Sequence, residues 1–316
     1  MRERVAGAPI SWGVCEVPGW GVQLSPERVL SEMTQLGIRA TELGPEGFLP
    51  TEPLATKEVL EAHQLSLVGG FVPVALHRAD RLDEELEHVR RSAEILAAGG
   101  STVMVLAAAT GEEGYEARPE LSDDDWKALA RGLDRAGDLT QEAGLLATLH
   151  PHVGTLVERP DEVDRVLELS SIPLCLDTGH LLAGGGDPAA LAAAAPERIA
   201  HVHLKDVHAD LAEQVREGRI GYRDAVARGM YRRLGEGDVD MASVIGSLER
   251  ADYRGWYVLE QDLVLSEEPA QGEGPIRDVE ACMRFLEALD GTPEWGVTRR
   301  GDQAPTGGSS SEARRG

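Results

Sequence analysis

IPLCLDTGHLLAGGGDPAALAAAAPERIAHVHLKDV, residues 172–207, reads as a strand, a helix and a second strand. Two short, largely apolar runs, 172–180 and 199–207, flank an alanine-rich stretch at helical length. Asp187-Pro188 opens that stretch with an N-cap residue followed by proline at the first helical position. Strands joined by a helical crossover are parallel, because a tight hairpin can only reverse the chain. Each strand also ends in titratable chemistry, Asp177 and His180 on the first, His203 and Lys205 on the second.

Working outward, the same alternation recurs. Further strand runs lie at 5–13, 39–44, 65–74, 101–109, 145–152 and 255–262, which brings the total to eight. Helical spacing covers 25–36, 54–63, 81–98, 122–142, 160–169, 240–251 and 276–288. Ser25-Pro26 repeats the cap and proline signal, and Ser122 precedes an acidic first turn. Eight strand-helix units are the number that closes an α/β TIM barrel, (β/α)8, with a doubly wound open sheet as the alternative. No glycine-rich phosphate loop favours the open sheet. The three glycines at 184–186 fit neither nucleotide-binding spacing and read as a flexible loop. The barrel is expected to occupy residues 1–290 as one domain, with 291–316, rich in Gly, Ser, Pro and charge, as a flexible tail.

The chain has 316 residues, 42% hydrophobic content and a formal net charge of −24, enough apolar material for a large core and the wrong sign for neutralising phosphate backbones. Neither nucleic acid nor an anionic membrane is an expected partner. Three cysteines, an odd number in no ligand-like cluster, suit a reducing compartment. With no signal-like start and no long apolar run, a cytoplasmic location is expected.

In a barrel of this kind chemistry collects at the C-terminal ends of the strands. Those ends carry Trp12, Glu42, His150 with His152, Asp177 with His180, His203 with Lys205, and Glu260 with Gln261 and Asp262. Singly, each has an ordinary explanation as a cap, a hydrogen-bonded filler or a solvated rim residue. Four consecutive strands ending in His, Asp, His and Glu converge on one axis, where carboxylates repel unless a cation compensates. Two imidazoles and two carboxylates suit Mn²⁺, Co²⁺, Zn²⁺ or Fe²⁺ better than Mg²⁺ or Ca²⁺. His150 and His152, two apart, share a strand face, so either could be the ligand. The same alternation sets His201 deepest as a packed residue, His203 at ligand level and Lys205 nearer the mouth, with Asp206 and His208 starting a loop. Trp12 and Phe71 are expected as apolar walls of the pocket. The segment 208–239 exceeds a minimal connection; it should contain a helix and cover the pocket, with Arg232 or Arg233 reaching substrate or a neighbouring subunit.

Glu42-Leu43-Gly44, Asp177-Thr178-Gly179-His180, the run His201 to Asp206 and the final Glu260 resemble the sugar phosphate isomerase/epimerase superfamily of xylose isomerase-like TIM barrels. APISWG at 8–13, HPHVGTLVE at 150–158, DAVARGMYRRLGEGDVD at 224–240 and EQD at 260–262 are most similar to its inosose dehydratase branch, over roughly residues 5–290. The resemblance implies one divalent metal on His150, Asp177, His203 and Glu260. Lys205, His152, His180 and Glu260 become the acid and base candidates, and Glu42 an acceptor for sugar hydroxyls. The implied substrate is a small polyhydroxylated ketone, 2-keto-myo-inositol above all, which loses water. His150 departs from the superfamily's isomerases and epimerases, which carry glutamate there, and this argues against their symmetrical two-carboxylate proton shuttle. A keto-sugar isomerase or epimerase, and a sugar-binding barrel without catalysis, are the alternative readings. A related barrel that cleaves DNA at abasic sites is opposed by the negative charge. By analogy, a homodimer or homotetramer is expected.

Overall fold

The computed structural model describes residues 1–112 and 118–290; the expected flexible tail, 291–316, lies outside the described residues. Eleven strands are present among them: β1 (Val5–Gly7), β2 (Ala40–Glu42), β3 (Ser66–Gly69), β4 (Phe71–Val74), β5 (Val103–Ala108), β6 (Leu146–Leu149), β7 (Leu174–Asp177), β8 (Ile199–Leu204), β9 (Asp206–Val207), β10 (Tyr231–Arg232) and β11 (Tyr257–Leu259). Nine form one parallel sheet in the order β3-β2-β1-β11-β8-β7-β6-β5-β4. The two strands at its ends, β3 and β4, are consecutive in the chain, separated by Gly70.

The run 65–74 therefore divides where a single strand was expected. Its first half pairs with β2 and its second half with β5, so the ring closes through this segment. A Cβ at Gly70 would fall 2.7 Å from Leu96 Cδ2, so glycine eases the close approach of the chain to the helix Leu82–Ala98 here. The strand order and direction are those of a closed parallel TIM barrel, and the open sheet is excluded.

The helices follow the capping signals. Ser25 accepts the Arg28 N–H above Pro26–Gln35, Ser122 and Asp125 form a capping box before Asp123–Glu142, and Asp187 accepts from Ala189 and Ala190 N at 2.9 and 3.0 Å. Their apolar stripes, such as Trp126, Leu129, Leu133 and Ala136, face the outside of the barrel, while Met104, Leu106, Leu174 and Val202 lie in the strands beneath. No described helix is long and apolar enough to cross a membrane.

Two loop readings change. Gly184 and Gly186 are close-packed: a Cβ at Gly184 would collide with the Glu158 carbonyl, and one at Gly186 would meet Leu181 Cδ1 at 2.8 Å, while Gly185 between them is left-handed at φ 94°. Asp206, expected in a solvated turn, is fully buried and accepts N–H groups of Val207, Gly235, Gly237 and Val239 at 2.8–3.1 Å. A buried carboxylate that gathers four backbone donors fixes the return of the 208–239 insertion. Gly237 is glycine because a Cβ there would strike that carboxylate.

Candidate active site

Asp177 ends β7 and also caps the short helix Thr178–Ala183. Its Oδ1 accepts the His180 N–H at 2.7 Å, leaving Oδ2 to face His150 Nε2 at 3.3 Å, Lys205 Nζ at 3.3 Å and His203 Nδ1 at 3.7 Å. The next two residues serve Lys205. Thr178 Oγ1 donates to the Lys205 carbonyl at 2.8 Å and accepts its N–H at 2.9 Å. Gly179 makes room for the stem, since a Cβ there would come within 2.6 Å of Lys205 Cγ. Asp-Thr-Gly-His thus acts as one device that caps a helix, staples the neighbouring strand and aims Lys205. His180 sits on the helix itself, not on the strand as expected.

Lys205 Nζ lies among three carboxylates, 2.7 Å from Asp262 Oδ1, 3.0 Å from Glu260 Oε2 and 3.3 Å from Asp177 Oδ2. Burial opposes its charge, but Asp177, Asp262 and Glu260 together hold its pKa well above the ordinary value. The three carboxylates thus favour the ammonium form of Lys205. Burial would raise the Glu260 pKa, yet His203 and Lys205 bring it down to about 2.

Glu42, at the end of β2, is buried, and its Oε1 accepts from His201 Nε2 at 2.9 Å and His203 Nε2 at 3.0 Å. That oxygen orients two imidazoles across the barrel, a use of Glu42 beyond the one expected from the sequence. His201 is the deep, hydrogen-bonded residue that strand alternation indicates. Its neighbour His203 then presents Nδ1 to Glu260 Oε2 at 3.4 Å and Asp177 Oδ2 at 3.7 Å without completing a hydrogen bond.

That buried, unpartnered nitrogen between two carboxylates is what a metal ligand set looks like from the protein side. Asp177, His203 and Glu260 offer ligand atoms within 4.8 Å of one another, as do Glu42, His201 and His203, and His150, Cys175 and His203. The Asp177 group fits a divalent ion best, because it supplies two carboxylates where the other groups supply one or none. His150 adjoins it through Asp177 and keeps an unpartnered Nδ1.

The remaining histidines form the outer layer. His152 stacks on His180 with centroids 3.7 Å apart, and Phe71 packs edge-on to His150 at 5.9 Å and against His152 at 5.7 Å. Burial, then the charges of His150 and Lys205, lower the His152 pKa to about 3, so it is a neutral imidazole. Phe71, His152 and Glu260 are partly exposed, whereas His150, Asp177, His203 and Lys205 are buried. Trp12 is placed otherwise than expected: it is fully buried and donates its indole N–H to Glu32 Oε2 at 2.8 Å.

The 208–239 insertion contributes helices Ala209–Arg216 and Tyr222–Ala227 and the β10 strand paired antiparallel to β9. It brings in two tyrosines that the sequence reading passes over. Tyr222 Oη donates to Asp262 Oδ2 at 2.8 Å, and Tyr231 Oη lies 3.1 Å from Tyr222 Oη and 3.3 Å from His180 Nδ1. Arg233 instead pairs with Asp278 at 2.7 Å, and Arg232 lies beside Gly229, next in sequence to the inward Tyr231. Of the five tyrosines in the chain, two fall within ten positions of this insertion, a signal that was available.

The model of the xylose isomerase-like TIM barrel family matches residues 30–290. The chain belongs to that family. Its relatives include an inosose dehydratase of Geobacillus kaustophilus, 37% identical over 82% of this chain and 87% of the relative. The rhizopine catabolism protein MocC of Rhizobium meliloti is 35% identical over 83% and 82%. Among solved structures, an L-ribulose 3-epimerase superposes with a TM-score of 0.66 at 14% identity, covering 90% of this chain and 94% of the other. The probable 3-DHS dehydratase AsbF of Bacillus anthracis gives 0.66 at 15% identity, covering 90% and 98%. These structures support the fold.

Proposed function

We propose that this chain is a hydro-lyase that removes water from a keto-cyclitol, with 2-keto-myo-inositol as the favoured substrate and one divalent ion at Asp177, His203, Glu260 and His150. The observation that carries the reading is the asymmetry around Lys205. An ammonium held by three carboxylates stands near a pair of stacked, uncharged imidazoles, which is an acid and a base of different kinds. A dehydration needs that difference, whereas a proton returned to the same carbon skeleton would be served by two like groups. The names of the sequence relatives point the same way.

When bound, the ion would supply a Lewis acid beside the ketone. His152, at the open side of the site, accepts the proton from the carbon next to the carbonyl. Lys205 gives a proton to the departing hydroxyl, so that one C–H and one C–O bond break and water leaves. Phe71 covers an apolar ring face, and Glu42 keeps His203 in the tautomer that turns Nδ1 toward the carboxylates. Neither Arg232 nor Trp12 is given a role.

The test is to incubate the Mn²⁺- or Co²⁺-loaded chain with 2-keto-myo-inositol and follow the conjugated diketone product by ultraviolet absorption. Growth of that absorption supports the reading. Interconversion of a ketose pair with no absorption change would replace it with an isomerase or epimerase.

A further inference from the structure

The cluster already contains a cation of its own, and a divalent ion has to share the site with it. Lys205 Nζ touches Asp177 Oδ2 at 3.3 Å and Glu260 Oε2 at 3.0 Å, both carboxylates of the ligand group. Its shortest contact, 2.7 Å, is to Asp262 Oδ1, which stands outside that group. The stem cannot retreat, because Thr178 holds the Lys205 backbone and Gly179 lies against its Cγ. Only the ammonium end has freedom to choose among the three carboxylates.

Asp262 is built to win that choice. Its other oxygen is fixed by the Tyr222 hydroxyl at 2.8 Å, and the Tyr231 ring faces Nζ with its centroid 5.1 Å away. A cation prefers an oriented carboxylate and an aromatic face to sharing two carboxylates with a second cation.

We propose that Asp262, held by Tyr222, is a positioning residue that draws the Lys205 ammonium away from Asp177 and Glu260, so that divalent ion and ammonium occupy adjacent places instead of competing for one. This rests on the metal-dependent reading above and adds a second carboxylate, with its tyrosine, to the working parts. Its signature is a pair of opposite effects on metal affinity. Removing the ammonium helps the ion; removing the anchor of the ammonium hurts it.

The measurement is calorimetric titration of MnCl2 into the chelator-stripped full chain, in wild type, Asp262→Asn, Lys205→Met, the double variant and Tyr222→Phe. Lys205→Met is expected to tighten Mn²⁺ by roughly tenfold while turnover is lost, and Asp262→Asn to weaken it by roughly tenfold. Tyr222→Phe, which removes a single hydrogen bond, should weaken Mn²⁺ by about threefold and serves if Asp262→Asn does not fold. In the Lys205→Met background, Asp262→Asn should change affinity by less than about threefold, since the anchor then has nothing to hold. An equal loss in both backgrounds would mean that Asp262 acts by its charge alone and would overturn the proposal, as would weaker Mn²⁺ binding in Lys205→Met or none in wild type. Mn²⁺ affinity is read without organic substrate. Coupling as described in a chain that does not dehydrate the keto-cyclitol would therefore discard only the functional reading, and dehydration without coupling would discard only the positioning role.

Discussion

Two polar clusters lie at opposite ends of the same strands, and they are finished to different degrees. Below β1, Arg4 donates to the carbonyls of Tyr253 and Gly255 at 2.9 and 3.0 Å and to Glu249 at 2.6 Å, while Tyr257 Oη donates to the same Glu249 oxygen at 2.8 Å. Arg198, below β8, likewise closes on the carbonyls of Leu167, Ser170 and Ile172. At the other end, His150 and His203 each keep a buried nitrogen without a hydrogen-bond partner, and one ammonium serves three carboxylates. A satisfied network fixes a fold; one with unpartnered nitrogens beside clustered carboxylates can take up a further cation. The same backbone thus carries a structural end and a chemical end.

The contrast can be broken most sharply at Asp177. Asp177→Ala should remove Mn²⁺ binding and lower kcat/KM by well over a hundredfold, because even an outer partner of a metal ligand is worth roughly 10–100-fold. Full activity in that variant would end the metal-site reading. Gly179→Ala places a methyl against Lys205 Cγ and should cost about tenfold or more in kcat, together with about 1–3 kcal/mol of stability from overpacking. Urea denaturation and steady-state kinetics on the same preparation separate the two effects. At the structural end the pattern should invert. Arg4→Ala leaves two carbonyls and Glu249 without their donor and should lower stability by about 1–3 kcal/mol, with Mn²⁺ affinity unchanged. A loss of metal binding there would show that the two ends are coupled. Ion removal needs no substitution at all: stripping the chain with chelator should lower Tm relative to a sample at 100 times the dissociation constant, where saturation is worth about 2.7 kcal/mol. An unchanged Tm would show that the ion contributes nothing to the folded state.

Much of this was legible in the amino-acid order because it is local. Ser25-Pro26, Ser122 and Asp187-Pro188 announce helices through contacts two or three residues away, and the structure places those helices within a residue or two of expectation. The strand-end positions of Asp177, His203 and Glu260 follow from alternation once the barrel is assumed. What stayed hidden depends on closure. Glu42 meets His201 and His203 only because β2 and β8 face each other across the barrel, a relation that no spacing encodes. Tyr222 and Tyr231 go unmarked in the sequence because their place at the site depends on Asp206 gathering the end of the long insertion back. Asp206 was misjudged for a related reason, since its four donors come from residues up to 33 positions away.

Gly184 gives the architecture a further meaning. It seats the helix that carries His180 directly on the backbone of the loop that carries His152, with no space for even a methyl group between them. The 3.7 Å spacing of the two imidazoles is therefore gauged by a residue that has no side chain at all. This seam is the wrong place to alter substrate range. The 208–239 insertion bears on the same pair, because Arg216 donates to the carbonyls of Leu182 and Ala183 on that helix and Tyr231 Oη lies 3.3 Å from His180 Nδ1, so a redesign of its inner surface has to leave these two residues in place.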